Sequence, residues 1–334
     1  MLSAIFKGPD VPLAVEERSM PRPGPGQALI RVCRCGICAS DLHMTSGGPM
    51  DVPAGTVLGH EYAGEVVEAG QDGWLRAGDR VTALPLSACG HCPACLAGQP
   101  LHCPAFRPMA GGFGQYTLVD QRFAMRLPDS LSFADGALVE PLAAALRGIR
   151  KLEPLAGARV AVIGAGAIGA SAIFWLRRLG AGRIASITRS RRAEALVAEM
   201  GADALLTTGD DLASRLAAVL GGPPDIVVEG AGAPGLLQQA LDLIRPGGSI
   251  LSLGGCTTPD PILPALAMWK EARFLFSVAY GTSEFQQALA TLEAGATAPR
   301  GMIGETISLS ELPSRFEALR HGSHAAKIMV DPQR

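Results

Sequence analysis

Between positions 36 and 61 the chain reads GICASDLHMTSGGPMDVPAGTVLGHE, and it carries a thiol, an imidazole and a carboxylate: Cys38, His60 and Glu61. Sulfur, nitrogen and oxygen donors together form a mixed ligand set that suits zinc. Three protein ligands leave a fourth position for water or substrate, which describes a catalytic metal site and not a structural one. Ser40, Asp41 and His43 stand close to Cys38 in sequence. A hydroxyl, a carboxylate and a second imidazole there could hold the metal ligands in place or move a proton. Taken alone, the same residues also fit a buried apolar cysteine and a hydrogen-bonded core histidine.

A second cluster is more specific. CGHCPACLAGQPLHC places Cys89, Cys92, Cys95 and Cys103 at intervals of two, two and seven intervening residues. Four thiols so spaced can close a tetrahedral sulfur shell around zinc. Such a shell has no open position, so its role is structural, tying down a protruding lobe. An iron–sulfur cluster is the competing chemistry, since four cysteines can hold one too.

These residues need elements to position them. The N-terminal third reads as β-rich: short apolar segments at 13–15, 28–32, 64–69 and 80–84 are separated by Pro- and Gly-rich turns such as PRPGPG at 21–26. This region is expected to be a β body carrying the metal residues on its loops. From residue 132 the pattern turns helical, and ARVAVIG at 158–164 is then a short, continuous apolar strand. It runs into G-A-G-A-I-G, with Gly164, Gly166 and Gly169, and a helix is expected over 170–179. Strand, tight turn and helix are the context that makes a G-x-G-x-x-G match a dinucleotide fingerprint. In it the first glycine makes the turn, the second lets backbone approach a pyrophosphate, and the third lets helix pack on strand. The helix N-terminus adds N–H groups and partial positive charge, so Ala167 and Ile168 join the glycines as candidate cofactor contacts.

Strands expected at 183–188, 204–206, 225–229, 249–253 and 274–278 alternate with helices near 193–200, 212–220 and 236–244. That count predicts an α/β architecture with a doubly wound, six-stranded parallel sheet at 144–278. Residues 1–143 and 279–334 are expected to form the other domain. Its tail should hold helices near 284–293 and 313–319 and a last strand at 326–330.

Composition narrows the function classes. A chain of 334 residues with 48% apolar content is long enough for about two cores, and a net charge of -2 offers no basic excess for nucleic acid or an acidic membrane. No apolar run reaches the roughly 18 residues of a membrane span. The opening MLSAIFKGPDVPL lacks the pattern of a signal peptide. The expected setting is a reducing cytoplasm, where eight cysteines serve as ligands and thiols and not as disulfides.

With these motifs assembled, the chain resembles the zinc-containing medium-chain dehydrogenases/reductases, the alcohol and polyol dehydrogenase superfamily, over essentially its whole length. CGICASDLH (35–43), GHEYAGEVVEAG (59–70), GDRV (78–81), the four-cysteine lobe, VEPLA (139–143) and VAVIGAGAIG (160–169) appear in family order. The resemblance is nearest to the sorbitol and threonine dehydrogenase branch. It implies a GroES-like catalytic domain at 1–143 and 279–334, a Rossmann domain at 144–278, two zinc ions per chain and a homodimer or homotetramer.

It also assigns roles. Cys38, His60 and Glu61 match the catalytic zinc motif, and Glu140 occupies the position of a carboxylate reaching the metal directly or through water. Which glutamate is bound at rest stays open. A carboxylate favoured at a helix N-terminus is the plainer reading of Glu140. Asp41 matches a partner orienting His60. The implied chemistry is hydride transfer between a secondary alcohol or polyol and nicotinamide, with zinc as Lewis acid. Ser40 would accept the alcohol's proton and pass it through the cofactor ribose toward His43. Two other readings stand beside it: an amino-alcohol, threonine-type NAD-dependent enzyme, and a non-enzymatic member of the superfamily.

The cofactor expectation departs from the commoner family pattern. NAD-linked members end the second Rossmann strand in an acid that binds the ribose hydroxyls. Here that position falls on Thr188, followed by Arg189, Ser190, Arg191 and Arg192. A hydroxyl followed by arginines would welcome a 2′-phosphate. NADP(H) is therefore expected over NAD(H), with Arg189 as the phosphate contact and Thr188 beside it.

Overall fold

The computed structural model describes residues 1–152, 154–322 and 326–334. The chain divides into two compact units, Met1–Ala143 with Tyr280–Ala296 and Ile303–Arg334, and Ala144–Ala279 with Thr297–Met302. Ala279 and the 297–302 segment thus fall in the second unit, where the sequence reading placed them in the first. For 297–302 the cause is packing: Met302 is buried and its sulfur accepts from the Ser171 hydroxyl at 3.6 Å.

The first unit is built on a seven-stranded sheet whose centre is the long strand Gln27–Gly36. Along one flank it pairs antiparallel with Glu61–Ala69, so that Gly36 lies opposite Glu61 and Cys35 opposite Tyr62. Its other flank is shared. Tyr116–Asp120 pairs with its first half, and the C-terminal strand Lys327–Asp331 pairs with its last two residues. Side chains of Ile30, Val32, Tyr62, Val66, Val81, Phe113 and Phe316 fill the core behind it. The unit also carries the one-turn helix α1, Ala39–His43, and the first part of α2, Phe133–Ile149, a seventeen-residue helix with Pro141 inside it.

The second unit holds six parallel strands, β1 (Arg159–Ile163), β2 (Arg183–Thr188), β3 (Ala204–Thr207), β4 (Ile226–Glu229), β5 (Ser249–Ser252) and β6 (Arg273–Phe276), in the order β3-β2-β1-β4-β5-β6. Strands such as RVAVI and IVVE are buried along most of their length, as parallel strands covered on both faces must be. Helix α3, Ala167–Arg178, follows β1 directly. It starts three residues earlier than the apolar pattern alone suggested, because Gly166 caps it and the glycine turn itself supplies its first residues.

Several elements escaped the sequence reading, among them the short strands Leu2–Ile5 and Ala124–Arg126. Ile303–Ser308 alternates exposed and half-buried positions, as an edge strand does, and so read as a polar segment. Tyr116–Asp120 follows directly on the glycine run at 111–114, and the six-residue helix Pro264–Trp269 is too short to show a period. Among the described residues no helix is long and apolar enough to cross a membrane.

Candidate active site

The first unit gathers the candidate metal residues through Asp41. Cys38 caps α1, and Asp41, in the first turn, returns Oδ2 to the Cys38 N–H at 3.0 Å. Its other oxygen, Oδ1, lies 3.2 Å from His60 Nδ1 and accepts from the Gly59 N–H at 3.4 Å. One fully buried carboxylate therefore ties the Cys38 turn to the His60 loop. With Nδ1 engaged, Nε2 is the nitrogen left to face a metal, and the Ser40 hydroxyl lies 3.4 Å from it. Burial alone would lower the His60 pKa, but the Asp41 carboxylate and the Cys38 sulfur raise it well above the usual value.

Glu61 is held from the other side. Lys327, in the C-terminal strand, donates to Glu61 Oε1 at 2.6 Å and to the Ile37 carbonyl at 3.0 Å. Both side chains are almost completely buried, at 2% and 1% exposure. Glu61 Oε2 has no hydrogen-bond partner among the described residues. Gly36 makes room for it, since a Cβ at that position would collide with this oxygen. Ligand atoms of Cys38, His60 and Glu61 all lie within 4.8 Å of one another. An orphaned buried carboxylate oxygen converging with a thiol and an imidazole is what a zinc ion would satisfy. The residues fit the metal.

Glu140 is not one of the three residues whose ligand atoms all lie within 4.8 Å of one another, though His60 and Glu61 act on it electrostatically. It lies in the middle of α2 and not in its first turn, so the helix-dipole reading of it fails. Burial pushes its pKa up to about 7, with Glu61 adding to the rise, against His60, a hydrogen bond from Tyr280 and Lys327. Tyr280 is itself buried and stacks on Phe285 with ring centroids 5.6 Å apart. His43 ends α1, half-buried, and its ring makes no hydrogen bond among the described residues.

In the cysteine lobe the sulfurs of Cys89, Cys92, Cys95 and Cys103 also lie within 4.8 Å of one another. Backbone N–H groups point at them: Cys92 donates to the Cys89 sulfur at 3.3 Å, and Cys89 and Ala105 to that of Cys103 at 3.4 and 3.3 Å. Hydrogen bonds from the His91 and Cys92 backbone draw Cys89 down to about 6, while burial and neighbouring sulfurs push Cys95 up to about 12. So many sulfurs at this range cannot all be thiolates without a cation among them. No disulfide joins them.

In the second unit, Gly164 turns the chain at φ +96° after β1, and a Cβ on Gly169 would run into the Gly164 carbonyl. A Cβ on Gly166 would meet nothing within 4 Å. The turn is thus tight on its protein side and open where Gly166, Ala167 and Ile168 lead into α3. At the end of β2, the Thr188 hydroxyl donates to the Ser190 carbonyl at 2.6 Å. Arg191 is paired with Glu194 at 2.9 Å, so it is spoken for. Arg189 and Arg192 are exposed and make no ion pair among the described residues.

Lys327 and Tyr280 add to the site what the motifs did not reveal. A trace of Lys327 was in the sequence: a lone lysine in the strand KIMVD, whose every position is buried, needs a buried partner.

Known proteins resemble this chain in sequence and fold. Residues 24–129 match the family model of the alcohol dehydrogenase GroES-like domain, and residues 167–294 that of the zinc-binding dehydrogenases. The (R,R)-butanediol dehydrogenase of Bacillus subtilis is 32% identical over 96% of this chain and 96% of its own. A Sinorhizobium meliloti 1021 protein solved bound to NADP superposes with a TM-score of 0.89 at 31% identity, covering 99% of each chain. An Escherichia coli CFT073 alcohol dehydrogenase, solved with NADH, gives a TM-score of 0.87 at 25% identity, again over 99% of each.

Proposed function

Because the chain belongs to the zinc-containing medium-chain alcohol and polyol dehydrogenase family, and is as such a zinc-dependent, nicotinamide-linked oxidoreductase, we propose that it interconverts a secondary alcohol or polyol with its ketone, using NADP(H) in preference to NAD(H). The observation that carries this reading is the convergence of Cys38, His60 and Glu61, with Glu61 Oε2 buried and unpartnered. The secondary alcohol is suggested by the butanediol dehydrogenase relative, and the phosphate by the acid-free end of β2 with Arg189 exposed beside it.

A zinc ion held by Cys38, His60 and Glu61 would supply Lewis acidity at the substrate oxygen, and a bound nicotinamide would supply the hydride acceptor or donor. The chain does the rest. Asp41 fixes the tautomer and aim of His60. Lys327 holds Glu61 Oε1 and so presents Oε2. Ser40, 3.4 Å from His60 Nε2, would take the alcohol's proton as it gives up its own, and His43, at the far end of the same helical turn, is the group proposed to return a proton to solvent. Glu140, with a pKa near neutrality and a hydrogen bond from Tyr280, serves water and substrate exchange beside the trio. Cys89, Cys92, Cys95 and Cys103 hold a second, structural zinc.

The enzyme is proposed to be a homo-oligomer. β6 is the edge of its sheet, and around it Trp269, Met268, Phe276 and Val278 are exposed at 84%, 73%, 61% and 66%, an apolar surface suited to a second copy. The direct test of the activity is a screen of the purified protein against secondary alcohols, polyols and amino alcohols with both cofactors. Turnover of amino alcohols alone, or of none, would overturn the substrate reading.

A further inference from the structure

Glu229 is the only buried acidic side chain among the described residues of the second unit, and it has no ion-pair partner there. It ends β4, the strand beside β1. Its Oε1 accepts from two successive backbone N–H groups, Ala231 and Gly232, both at 2.7 Å. Its Oε2 accepts from the Ser252 hydroxyl at the end of β5, at 3.3 Å. Its own carbonyl accepts from Leu253 and Gly254 at 2.7 and 3.1 Å. One residue therefore shapes the 230–232 turn and joins it to the segment leaving β5.

That turn lies against the glycine turn. A Cβ on Gly164 would come within 2.9 Å of Ala231 Cβ, and one on Gly230 within 3.3 Å of Gly169 Cα. In open parallel sheets a dinucleotide binds at the carboxyl ends of the strands where the order reverses, which here is between β1 and β4. Burying a carboxylate among neutral donors costs desolvation that a plain turn need not incur. The position where that cost is incurred is the wall facing Gly164 and Gly169.

We infer that Glu229 is a positioning residue for the dinucleotide: its carboxylate sets the 230–232 turn that walls the cofactor crevice, without touching the cofactor. The inference rests on reading 164–169 as the dinucleotide turn. Glu229→Ala removes the acceptor from two amides. Glu229→Asp keeps the charge but withdraws it by one methylene. Glu229→Gln keeps a carbonyl for both amides and an amide that Ser252 can accept.

The test measures Kd for NADPH and NADH by nucleotide fluorescence on the zinc-loaded enzyme, with hydrogen exchange across 230–232 and zinc content alongside. Glu229→Ala and Glu229→Asp are expected to raise Kd for both cofactors by about tenfold or more, as two charge-assisted bonds are lost. Exchange at 230–232 should accelerate, with zinc content unchanged. Glu229→Gln should restore Kd to near the wild-type value. If Glu229→Ala does not fold, Glu229→Asp and Glu229→Gln carry the test. Wild-type Kd values in Glu229→Asp, or equal losses in Glu229→Gln and Glu229→Asp, overturn the inference. A wild-type enzyme that binds neither dinucleotide overturns the cofactor reading and the inference with it.

Discussion

The ammonium of Lys327 and the carboxylate of Glu61 meet at 2.6 Å in an interior that leaves both almost wholly dry, though 266 positions separate them in the chain. Only one carboxylate oxygen is engaged, and the other is left beside Cys38 and His60. The pair orients a proposed metal ligand from behind. Burial would strip Lys327 of its proton, and the Glu61 carboxylate with its neighbouring anions instead holds its pKa above the usual lysine value.

Removing one partner of such a pair leaves an uncompensated buried charge. Lys327→Met is therefore expected to cost about 3–5 kcal/mol of stability, and to reduce zinc retention at the Cys38 site. Thermal unfolding with metal analysis checks both. An unchanged Tm and full zinc content would show that the pair matters to neither.

Metal analysis separates the two sites. The wild type should carry two zinc ions per chain, and Cys38→Ser and Cys89→Ser one each. Only Cys89→Ser should lower Tm markedly, because a closed thiolate site contributes directly to folding. A single zinc in the wild type rules out the two-site reading.

The raised pKa of Glu140 has a consequence for stability. In the zinc-free protein the folded state keeps this proton up to about pH 7, while the unfolded chain releases it near 4.5. Folded protein thus binds more protons between these values, and stability falls as pH rises through the window. Glu140→Gln cannot titrate. Its Tm relative to the zinc-free wild type should climb from pH 4.5 to 7 and then level off. A constant difference across that range would mean that Glu140 titrates normally.

The proposed cofactor preference rests on Arg189. Its replacement by alanine should weaken NADP by roughly 1–3 kcal/mol, as expected for loss of a hydrogen bond to a charged group, and leave NAD nearly unaffected. Steady-state kinetics with both cofactors provide the comparison. Equal losses, or a wild type with the higher kcat/KM for NAD, would contradict the proposed preference.

The apolar surface at the β6 edge gives a test of assembly. Light scattering should report a dimer or tetramer at micromolar protein, and Trp269→Glu should shift the mass toward the monomer. A monomeric wild type disposes of the proposal.

What the sequence determined by itself was whatever is written locally. The cysteine spacing from Cys89 to Cys103, the turn from Gly164 to Gly169 and the apolar runs of the six parallel strands each follow from a few neighbouring residues. So did the types of the candidate metal ligands, because Cys38, His60 and Glu61 sit in short motifs whose chemistry is readable in place. Tertiary structure decided the rest. That Glu61 has Lys327 at its back, that Tyr280 reaches Glu140, that Arg191 is consumed by Glu194, and that Glu229 braces the wall beside Gly164 are choices of partner. Periodicity shows that a side chain is buried, but the pairing of strands far apart in the chain decides what it is buried against. For a charged group, the partner decides whether it is a ligand, a brace or a cap.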